Sequence, residues 1–483
     1  MTSSSSVGAR YIVPRFDSHP NHKSSSLRRG AARCALSIPH PQRSTTKHRH
    51  SKPTTRRHAQ PKSRHSERSE ASLFAVCAPQ SPIAAHTRHI ALLATRSIVT
   101  AAILLTFALA PAIAQNTSLA HRRAQRLRRG VNLSEWFAQV YDPRGYTKEH
   151  FETWSTVADI ILIKQMGFDH VRLSVNPQPM FRRGQADNIP PEYLAYLDNA
   201  VQMILAQNLA VIIDMHPESD FKEKLVKEDS FVEQFEDFWR VIAKHYANTN
   251  PDMVFFEILN EPEFRDRYRW EGVQSRLAMA IREGAPQHTI IAAGANWSSE
   301  TELLFMEPLH DSNIIYNFHF YDPHIFSHQG ATWTTNFQHY LNYLPYPSTP
   351  ENEQANAAQV PDAVNRLSVM QYGLDHWNHD RMDALIAQAA AWAKRWNVPL
   401  TCNEFGVYRR TADPQARARW LSDLHTVLEQ YEIGWTMWDY SGGFAVVVKA
   451  KGQPAAPDEI TIKALGMKVP PPFAGGMPGA AKP

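Results

Sequence analysis

From residue 128 onward, short runs of apolar, β-branched residues alternate with longer segments in which apolar residues recur every three or four positions. The short runs are typical of buried strands, and the longer period is typical of amphipathic helices. In Glu192–Gln207, for example, Leu197 and Val201 share one face of a predicted helix. A second helix is predicted over His150–Met166, ended by Gly167 in a left-handed cap. The predicted strands are Gly130–Leu133, His170–Val175, Ala210–Met215, Val254–Leu259, Thr289–Ala293, Ile314–Phe318, Pro399–Asn403 and Gly434–Trp438.

The spacing of these strands predicts how they are arranged. Six of the seven intervals between strand starts are 25 to 44 residues long, which leaves room for one strand and one helix. Eight such units in one domain predict an α/β fold, a (β/α)8 or TIM barrel. An open doubly wound sheet is the alternative, but no glycine-rich phosphate loop follows any predicted strand. The remaining interval, between strands six and seven, spans 85 residues and contains Pro345, Pro347, Pro350 and Pro361, so we expect a long loop bordering the cleft before a helix over Asp383–Trp396.

The amino-terminal part has a different composition, rich in Ser, Arg, His and Pro and without periodic apolar order, which predicts disorder. Arg96 then precedes an uncharged apolar run that ends in Ala112-Ile113-Ala114, the pattern of a cleaved export signal. We therefore expect a secreted or periplasmic protein, with an uncleaved membrane anchor as the alternative. The predicted segments are a basic leader over 1–95, the export signal over 96–114, a linker over 115–127, a single catalytic domain over 128–467 and a carboxy-terminal tail over 468–483.

Charge separates the leader from the folded domain. Residues 1–114 contain 17 Lys and Arg against 3 Asp and Glu, and the remaining residues contain 34 against 44, a net charge of −10. An acidic domain argues against nucleic acid as its ligand, although binding of nucleic acid or anionic lipid by the basic leader stays open. Cys34 and Cys77 belong to the leader and only Cys402 to the domain, which excludes an intradomain disulfide and a cysteine-based structural zinc site there.

Polar residues lie at or just beyond the ends of most predicted strands, and in barrels of this kind the active site gathers at the carboxyl ends of the strands. Glu261 and Glu404 stand out because each follows an Asn, each closes an apolar run, and they are 143 residues apart. On strands four and seven their carboxyl groups can converge on the cavity from two sides. Glycoside hydrolysis requires such a pair: one carboxyl protonates the leaving oxygen, and the other attacks the anomeric carbon or activates water.

Other residues at strand ends fit this division of labour. Arg172 and Tyr321 can supply a cation and a hydroxyl that keep Glu404 ionised. Asn260 can bind a sugar hydroxyl, and Trp438 offers a flat apolar face for a pyranose ring. The glutamate on strand four must carry a proton, so we expect it in a less cationic and drier pocket.

Several further residues have open interpretations. Trp136 and Trp297 are also candidates for ring stacking, although filling the core is the commoner role of a tryptophan, and Asn132 either faces the cavity or only closes the barrel. A zinc site that combines His216 and His319 with the glutamate of strand seven is weakened because each histidine lies alone on its strand, and no paired-histidine motif occurs. We expect no metal and no cofactor.

In this order, the motifs resemble glycoside hydrolase family 5, the cellulase family of clan A, over about Arg128 to Met467. The most specific parts are Leu259-Asn260-Glu261-Pro262 and Asn403-Glu404-Phe405-Gly406. The supporting parts are Arg172 in HVRLS, His216 in IDMHP, His319-x-Tyr321 and Trp438 in MWDYSGGF. The segment from residue 321 to residue 333 is similar to bacterial endoglucanase-type members.

The resemblance implies a retaining mechanism, with Glu404 as nucleophile and Glu261 as acid/base, and a β-linked glucan, above all a β-1,4-glucan, as substrate. A β-mannan or another β-glucan is the alternative within the family, and a non-catalytic polysaccharide-binding barrel is less expected because both carboxylates are present. We expect a monomer with no nucleic-acid partner and no membrane contact beyond the export signal. The resemblance assigns to the subsite of the cleaved sugar Arg172, His216, Asn260, His319, Tyr321 and Trp438.

Overall fold

The computed structural model describes residues 118–334, 337–450 and 453–471. Eight parallel strands close into a barrel in which each strand pairs with the next and the last pairs with the first. This confirms the predicted (β/α)8 TIM barrel. The strands are β1 (Arg129–Phe137), β2 (His170–Val175), β3 (Ala210–Met215), β4 (Val254–Glu257), β5 (Thr289–Ala293), β6 (Ile314–Phe320), β7 (Leu400–Phe405) and β8 (Gly434–Met437), with a small hairpin of β9 (Val447–Val448) and β10 (Ala456–Pro457).

Helices surround the barrel and cover the outward faces of its strands, so the main hydrophobic core lies between strands and helices. The helices are α1 (Leu119–Ala124), α2 (Lys148–Thr153), α3 (Val157–Met166), α4 (Pro191–Ala206), α5 (Ser219–Lys227), α6 (Asp229–Tyr246), α7 (Arg267–Gly284), α8 (Ala295–Ser298), α9 (Glu300–Leu303), α10 (His324–Ser327), α11 (Pro350–Ala358), α12 (Ala363–Leu374), α13 (His379–Trp396), α14 (Pro414–Gln430) and α15 (Glu459–Ala464).

Some element boundaries differ from those predicted. The helix expected over His150–Met166 is two helices, α2 and α3, because Thr156 begins a new one: its backbone N–H donates to the carboxylate of Asp159 at 2.8 Å. Gly167 ends α3 with a left-handed φ of 100°, as its sequence context indicates. Strands β6 and β7 each run two residues beyond their predicted ends.

The interpretation of residues 115–127 as a linker is wrong for the part that the structure describes. Helix α1 closes the amino-terminal end of the barrel, where Ala120 and Ala124 pack in one cluster with Phe255. The buried Arg123 binds Asp252, just ahead of β4, at 2.7 Å. The helix is short and basic, so its small apolar face gives little periodic signal.

The long interval between β6 and β7 is folded rather than a loop. It contains α10, a 3-10 helix over Phe337–Tyr340, α11 and α12, all ahead of α13. Pro350 occupies the first turn of α11, where its missing N–H costs nothing, and Asp362 caps the start of α12. The Tyr372 hydroxyl donates to the carbonyl of Pro345 at 2.6 Å and ties this insertion together. The prolines that favoured a loop in the sequence thus lie at helix starts and in turns between the helices.

Side-chain alternation along the strands builds the interior of the barrel in layers. Ile212 of β3 and Phe255 of β4 belong to the apolar cluster that α1 closes. Two residues further along each strand, Asp214 and Glu257 are fully buried. Because successive strand side chains point to opposite faces, these carboxylates share the inward direction of the apolar residues below them. A polar layer therefore lies directly above an apolar floor.

In the described part of the chain, no helix combines the length and the apolar composition needed to cross a membrane. The predicted leader over 1–95, the export signal over 96–114 and the last twelve residues of the tail lie outside the described residues. These three expectations stay predictions.

Candidate active site

The structure brings the eight candidate site residues together at the carboxyl end of the barrel, where the contacts described below join them into one network. Arg172 lies in β2, His216 follows β3, and Asn260 and Glu261 follow β4. His319 lies near the end of β6, and Tyr321 comes just after that strand. Glu404 lies in β7, and Trp438 follows β8.

Arg172 is the hub of this network and is fully buried. Its Nε and Nη2 atoms donate to the two carboxylate oxygens of Glu257 at 2.9 and 2.8 Å. Nη1 donates to the side chains of Asn132 at 2.9 Å and Glu404 at 2.6 Å. Nη2 also donates to Oδ1 of Asn260 at 2.9 Å. All five N–H groups of the guanidinium are thus used, which fixes its plane and the groups around it.

Glu404 is held at both oxygens. Arg172 binds Oε1, and the Tyr321 hydroxyl donates to Oε2 at 3.0 Å. Burial and the neighbouring glutamates raise the pKa of Tyr321 well above its ordinary value, so the phenol keeps the proton that it donates. These two contacts, with a cation and a hydroxyl, set the direction of the buried carboxylate.

Glu261 has a different environment. The Nδ1 atom of His319 lies 3.1 Å from Oε1 of Glu261 and 3.5 Å from Oε2 of Glu404. Burial lowers the pKa of His319 to about 4, so its imidazole is neutral near pH 7. The Glu261 side chain is 27% exposed, compared with 5% for Glu404. The expectation of a less cationic environment therefore agrees with the geometry, but the expected drier pocket is wrong, because Glu261 faces the open cleft.

His216 orients both an amide and an aromatic ring. Asn260 Nδ2 donates to Nε2 of His216 at 3.1 Å, and because an amide N–H can only donate, the imidazole proton lies on Nδ1, which faces Asp214 at 2.8 Å. Burial lowers the pKa of His216 to about 3, which keeps this ring neutral. The ring stacks on Trp438 with centroids 5.6 Å apart and an interplanar angle of 15°.

Three residues of the polar layer have no role assigned to them from the sequence. Glu257 binds Arg172 with both oxygens, and Asp214 lies 3.1 Å from the same guanidinium. Asn403 donates from Nδ2 to Glu257 at 2.7 Å. The signal for two of them is present in the sequence, because a single acid interrupts each of the apolar strands AVIIDM and VFFE. A buried charge requires a partner, and Arg172 is the cation that contacts both acids.

The structure distinguishes the positions of the residues that had open interpretations. Trp136 is buried in the core, where its Nε1 donates to the carbonyl of Phe151 at 2.8 Å, so the stacking interpretation is wrong for it. Asn132 is buried inside the barrel, where its Nδ2 donates to the carbonyl of Asn403 at 3.0 Å and its Oδ1 accepts from Arg172. Trp297 is 48% exposed and its backbone N–H donates to the carbonyl of Pro262 at 3.1 Å, which places it beside Glu261.

Metal-ligating atoms of Glu261, His319 and Glu404 lie within 4.8 Å of one another. Both oxygens of Glu404 are already bound, one of them by a guanidinium 2.6 Å away, and a positive charge at that distance opposes a second cation. His216, part of the zinc hypothesis, has each ring nitrogen in a hydrogen bond to a side chain of its own network. This donor set fits a metal poorly.

Comparisons with known proteins give the family of the chain. Residues 138–443 match the sequence profile described as cellulase, glycosyl hydrolase family 5. The chain is 31% identical over 317 residues to Endoglucanase C of Acetivibrio thermocellus, covering 64% of this chain and 90% of that protein. It is 26% identical over 351 residues to Endoglucanase 3 of Fibrobacter succinogenes, covering 69% and 52% of the two proteins.

Among solved structures, Cel5A of Thermotoga maritima in complex with cellobiose is 23% identical and superimposes with a TM-score of 0.59 over 71% of this chain and 99% of that chain. This likeness shows the shared barrel fold. The family profile covers more than half of the present sequence, and the A. thermocellus relative is matched over nearly all of its length. The chain therefore belongs to the cellulase family, glycosyl hydrolase family 5, and is a glycosidase.

Proposed function

We propose that this glycosidase cleaves β-1,4-linked glucan chains internally, with retention of configuration at the anomeric carbon. The observation that carries the proposal is the unequal environment of two neighbouring carboxyl groups. Glu404 is clamped by Arg172 and Tyr321, whereas Glu261 faces the cleft and contacts a neutral histidine. Two titratable groups with environments this different suit a nucleophile and a proton donor.

The mechanism has two balanced steps. In the first, Glu404 bonds to the anomeric carbon while the bond to the leaving oxygen breaks, and Glu261 transfers its proton to that oxygen. In the second, water bonds to the anomeric carbon, gives a proton to Glu261 and displaces Glu404. Arg172 and Tyr321 hold the nucleophile in position, and Asn260 can bind the hydroxyl next to the reacting carbon.

The spacing of the two glutamates supports retention. One carboxylate oxygen of Glu261 lies within 4.8 Å of one of Glu404. Retaining enzymes hold their carboxyl groups ~5–5.5 Å apart, whereas inverting enzymes need ~6.5–9.5 Å to accommodate a water molecule. The present gap leaves room for the sugar carbon but not for that additional water.

The choice of β-1,4-glucan rests on relatives named endoglucanases, to which this chain is up to 31% identical. Because the same catalytic set can serve other β-linked polymers, the substrate is tested with a panel of carboxymethylcellulose, barley β-glucan, laminarin and mannan. We expect the greatest release of reducing ends from the β-1,4-linked glucans. Activity on mannan alone would overturn the proposed substrate.

Variants of the two glutamates test the roles. We expect Glu404→Ala and Glu261→Ala each to lower kcat by ~10³-fold or more, because covalent and acid catalysis both supply large rate factors. Azide should restore part of the activity of Glu404→Ala with an inverted glycosyl azide as product, and no inverted product is expected from Glu261→Ala. Glu233→Ala, at an exposed position of α6, is the matched control. A rate near that of the wild type in either catalytic variant contradicts the assignment.

We also propose that the protein is exported and acts as a monomer. The run of residues 96–114 supports export because its sequence has the order of a cleavable signal. Amino-terminal sequencing of the mature protein is expected to begin at Gln115, and light scattering is expected to give the mass of one chain. A mature protein that retains the leader contradicts cleavage after Ala114.

A further inference from the structure

A cavity of about 510 Å³ lies between the segments that follow β7 and β8 and the first turns of α14 and α15. Three arginines belong to its lining, Arg409, Arg410 and Arg417. None of the eight candidate site residues is among the described residues that line it. Ligand sites commonly have volumes of ~300–1,000 Å³, so the cavity is large enough for a small organic molecule.

Arg417, in the first turn of α14, is a buried cation whose hydrogen-bond partners within the described residues are all neutral. Its Nε donates to the carbonyl of Val407 at 3.0 Å, and its Nη1 donates to the hydroxyl of Thr461. Its Nη2 donates to the carbonyls of Phe444 at 2.6 Å and Ala445 at 3.2 Å. These bonds use four of the five N–H groups of the guanidinium, which leaves one on Nη1.

The other two buried arginines of the described chain show what Arg417 lacks. Arg123 and Arg172 each have a carboxylate oxygen in contact, at 2.7 Å and 2.6 Å. The carboxylate oxygen nearest to Arg417 in that part of the chain, Oδ2 of Asp458, is 4.0 Å away, beyond hydrogen-bond distance. Burial lowers the pKa of Arg417 to about 10, so the group stays charged near pH 7. Buried charges are ordinarily paired, and this one lines a cavity with room for a counter-ion.

The other two arginines add positive charge to the same cavity. Arg410 is exposed and forms no hydrogen bond or ion pair with any residue that the structure describes. Arg409 donates from Nη1 to the carbonyl of Val447 at 3.0 Å and lies 3.8 Å from Asp458. Asp458 is the only acid among the described lining residues, and its Oδ1 also accepts from the backbone N–H of Thr461 at 3.3 Å. The cavity therefore has three cations against one anion, although the domain as a whole is acidic.

Part of the cavity wall is apolar and open to solvent. Val448 and Ile460 belong to the lining and are 55% and 42% exposed. The ring of Tyr408 packs against Gly443, where an added Cβ would lie 2.8 Å from Cε2 of the tyrosine. A bare oxyanion would leave these apolar groups in water, whereas an anion with a carbon skeleton would cover them. The combination of cations and apolar surface therefore favours an organic anion.

We propose that this cavity binds a small organic acid, whose carboxylate or phosphate group lies beside Arg410 and Arg417 and whose carbon skeleton packs against Tyr408. An oxyanion accepts charge-assisted hydrogen bonds from guanidinium groups and supplies the counter-ion that is missing there. The site is distinct from the catalytic network, and Phe444 lies between the two: its carbonyl accepts from Arg417, and its ring centroid is 6.0 Å from that of Tyr321.

Isothermal titration with benzoate, benzamide and inorganic phosphate at constant ionic strength tests the proposal. Benzoate and benzamide share a ring and differ in charge, so we expect one benzoate per chain, bound at least ~10-fold more tightly than benzamide. Phosphate has the charge without a carbon skeleton and should bind more weakly than benzoate. Benzoate should also raise the melting temperature, because a ligand that binds only the folded state stabilises it.

Two matched variants locate the bound benzoate. Arg410→Gln removes one cation from the cavity, so the Kd for benzoate should rise by ~10-fold or more. Because Arg410 is exposed and has no other contact among the described residues, the melting temperature without ligand should stay at the wild-type value. Arg395→Gln makes the same change in the last turn of α13, ahead of β7, and should leave the Kd unchanged.

Four results would overturn the proposal. They are an absence of benzoate binding, equal binding of benzoate and benzamide, and the same Kd for benzoate in Arg410→Gln and in the wild type. Tighter binding of phosphate than of benzoate would be the fourth, because it would indicate a site for inorganic anions. All of these measurements are made without a polysaccharide, so their failure would leave the proposed cleavage of β-glucan untouched.

Discussion

Replacing Arg172 by Lys tests whether the active site depends on the shape of this side chain or only on its charge. The guanidinium uses five N–H groups, whereas an ammonium offers three, so at least two buried acceptors lose their donor. Each hydrogen bond to a charged group contributes ~1.5–3 kcal/mol, so the free energy of unfolding should fall by ~3–6 kcal/mol. The melting temperature should then fall by roughly 5–10 °C for a domain of this size.

The same substitution should lower kcat by ~100-fold, because Glu404 loses the contact that fixes its direction and small misplacements are costly in catalysis. Differential scanning calorimetry and initial rates on barley β-glucan measure the two effects. Arg240→Lys is the control: Arg240 also binds two carboxylates, but on the surface of α6, where little change is expected. If Arg172→Lys matched that control in both stability and kcat, the inference that the guanidinium of Arg172 orients Glu404 would be refuted.

Three other predictions each concern a single residue. Tyr321→Phe removes a donor from Glu404, so kcat, measured as initial rates, should fall by ~10–100-fold. Burial raises the pKa of Glu353 from 4.5 to about 7, so the folded protein binds more protons between these values, and the contribution of this group to stability is lost as pH rises through them. Glu353→Gln should therefore raise the melting temperature at pH 8 and leave it nearly unchanged at pH 4, measured by calorimetry. Arg123→Ala removes the contact with Asp252 at the closed end of the barrel, so unfolding should become easier by ~1–3 kcal/mol while kcat stays unchanged; a fall in kcat below the melting transition would contradict this separation.

The sequence predicts the barrel and the meeting of its strand ends because both depend on local, periodic information. Glu261 and Glu404 each close an apolar run, and parallel strands bring such positions to one rim. The partners of Arg172 depend instead on which strands are neighbours and on depth inside the barrel. Asp214 and Glu257 lie in that interior, so their interaction with the guanidinium could be read only from three-dimensional packing.

The elements that the sequence missed are those with weak or ambiguous local signals. Helix α1 has six residues, half of them basic or histidine, and its burial depends on the floor of a barrel built far along the chain. In the insertion before β7, a proline such as Pro350 is compatible both with a loop and with the start of a helix. Only tertiary contacts such as that of Tyr372 with Pro345 distinguish the two.

Helix α1 also determines where the enzyme can be attached to a solid support. Ser118 precedes this helix at the closed end of the barrel, on the side turned away from Glu261 and Glu404. A tether joined there would leave from the back of the molecule, so beads carrying the enzyme would present an unobstructed cleft to an insoluble polymer. A tether near Trp297, which is exposed beside Glu261, would instead turn the cleft toward the bead.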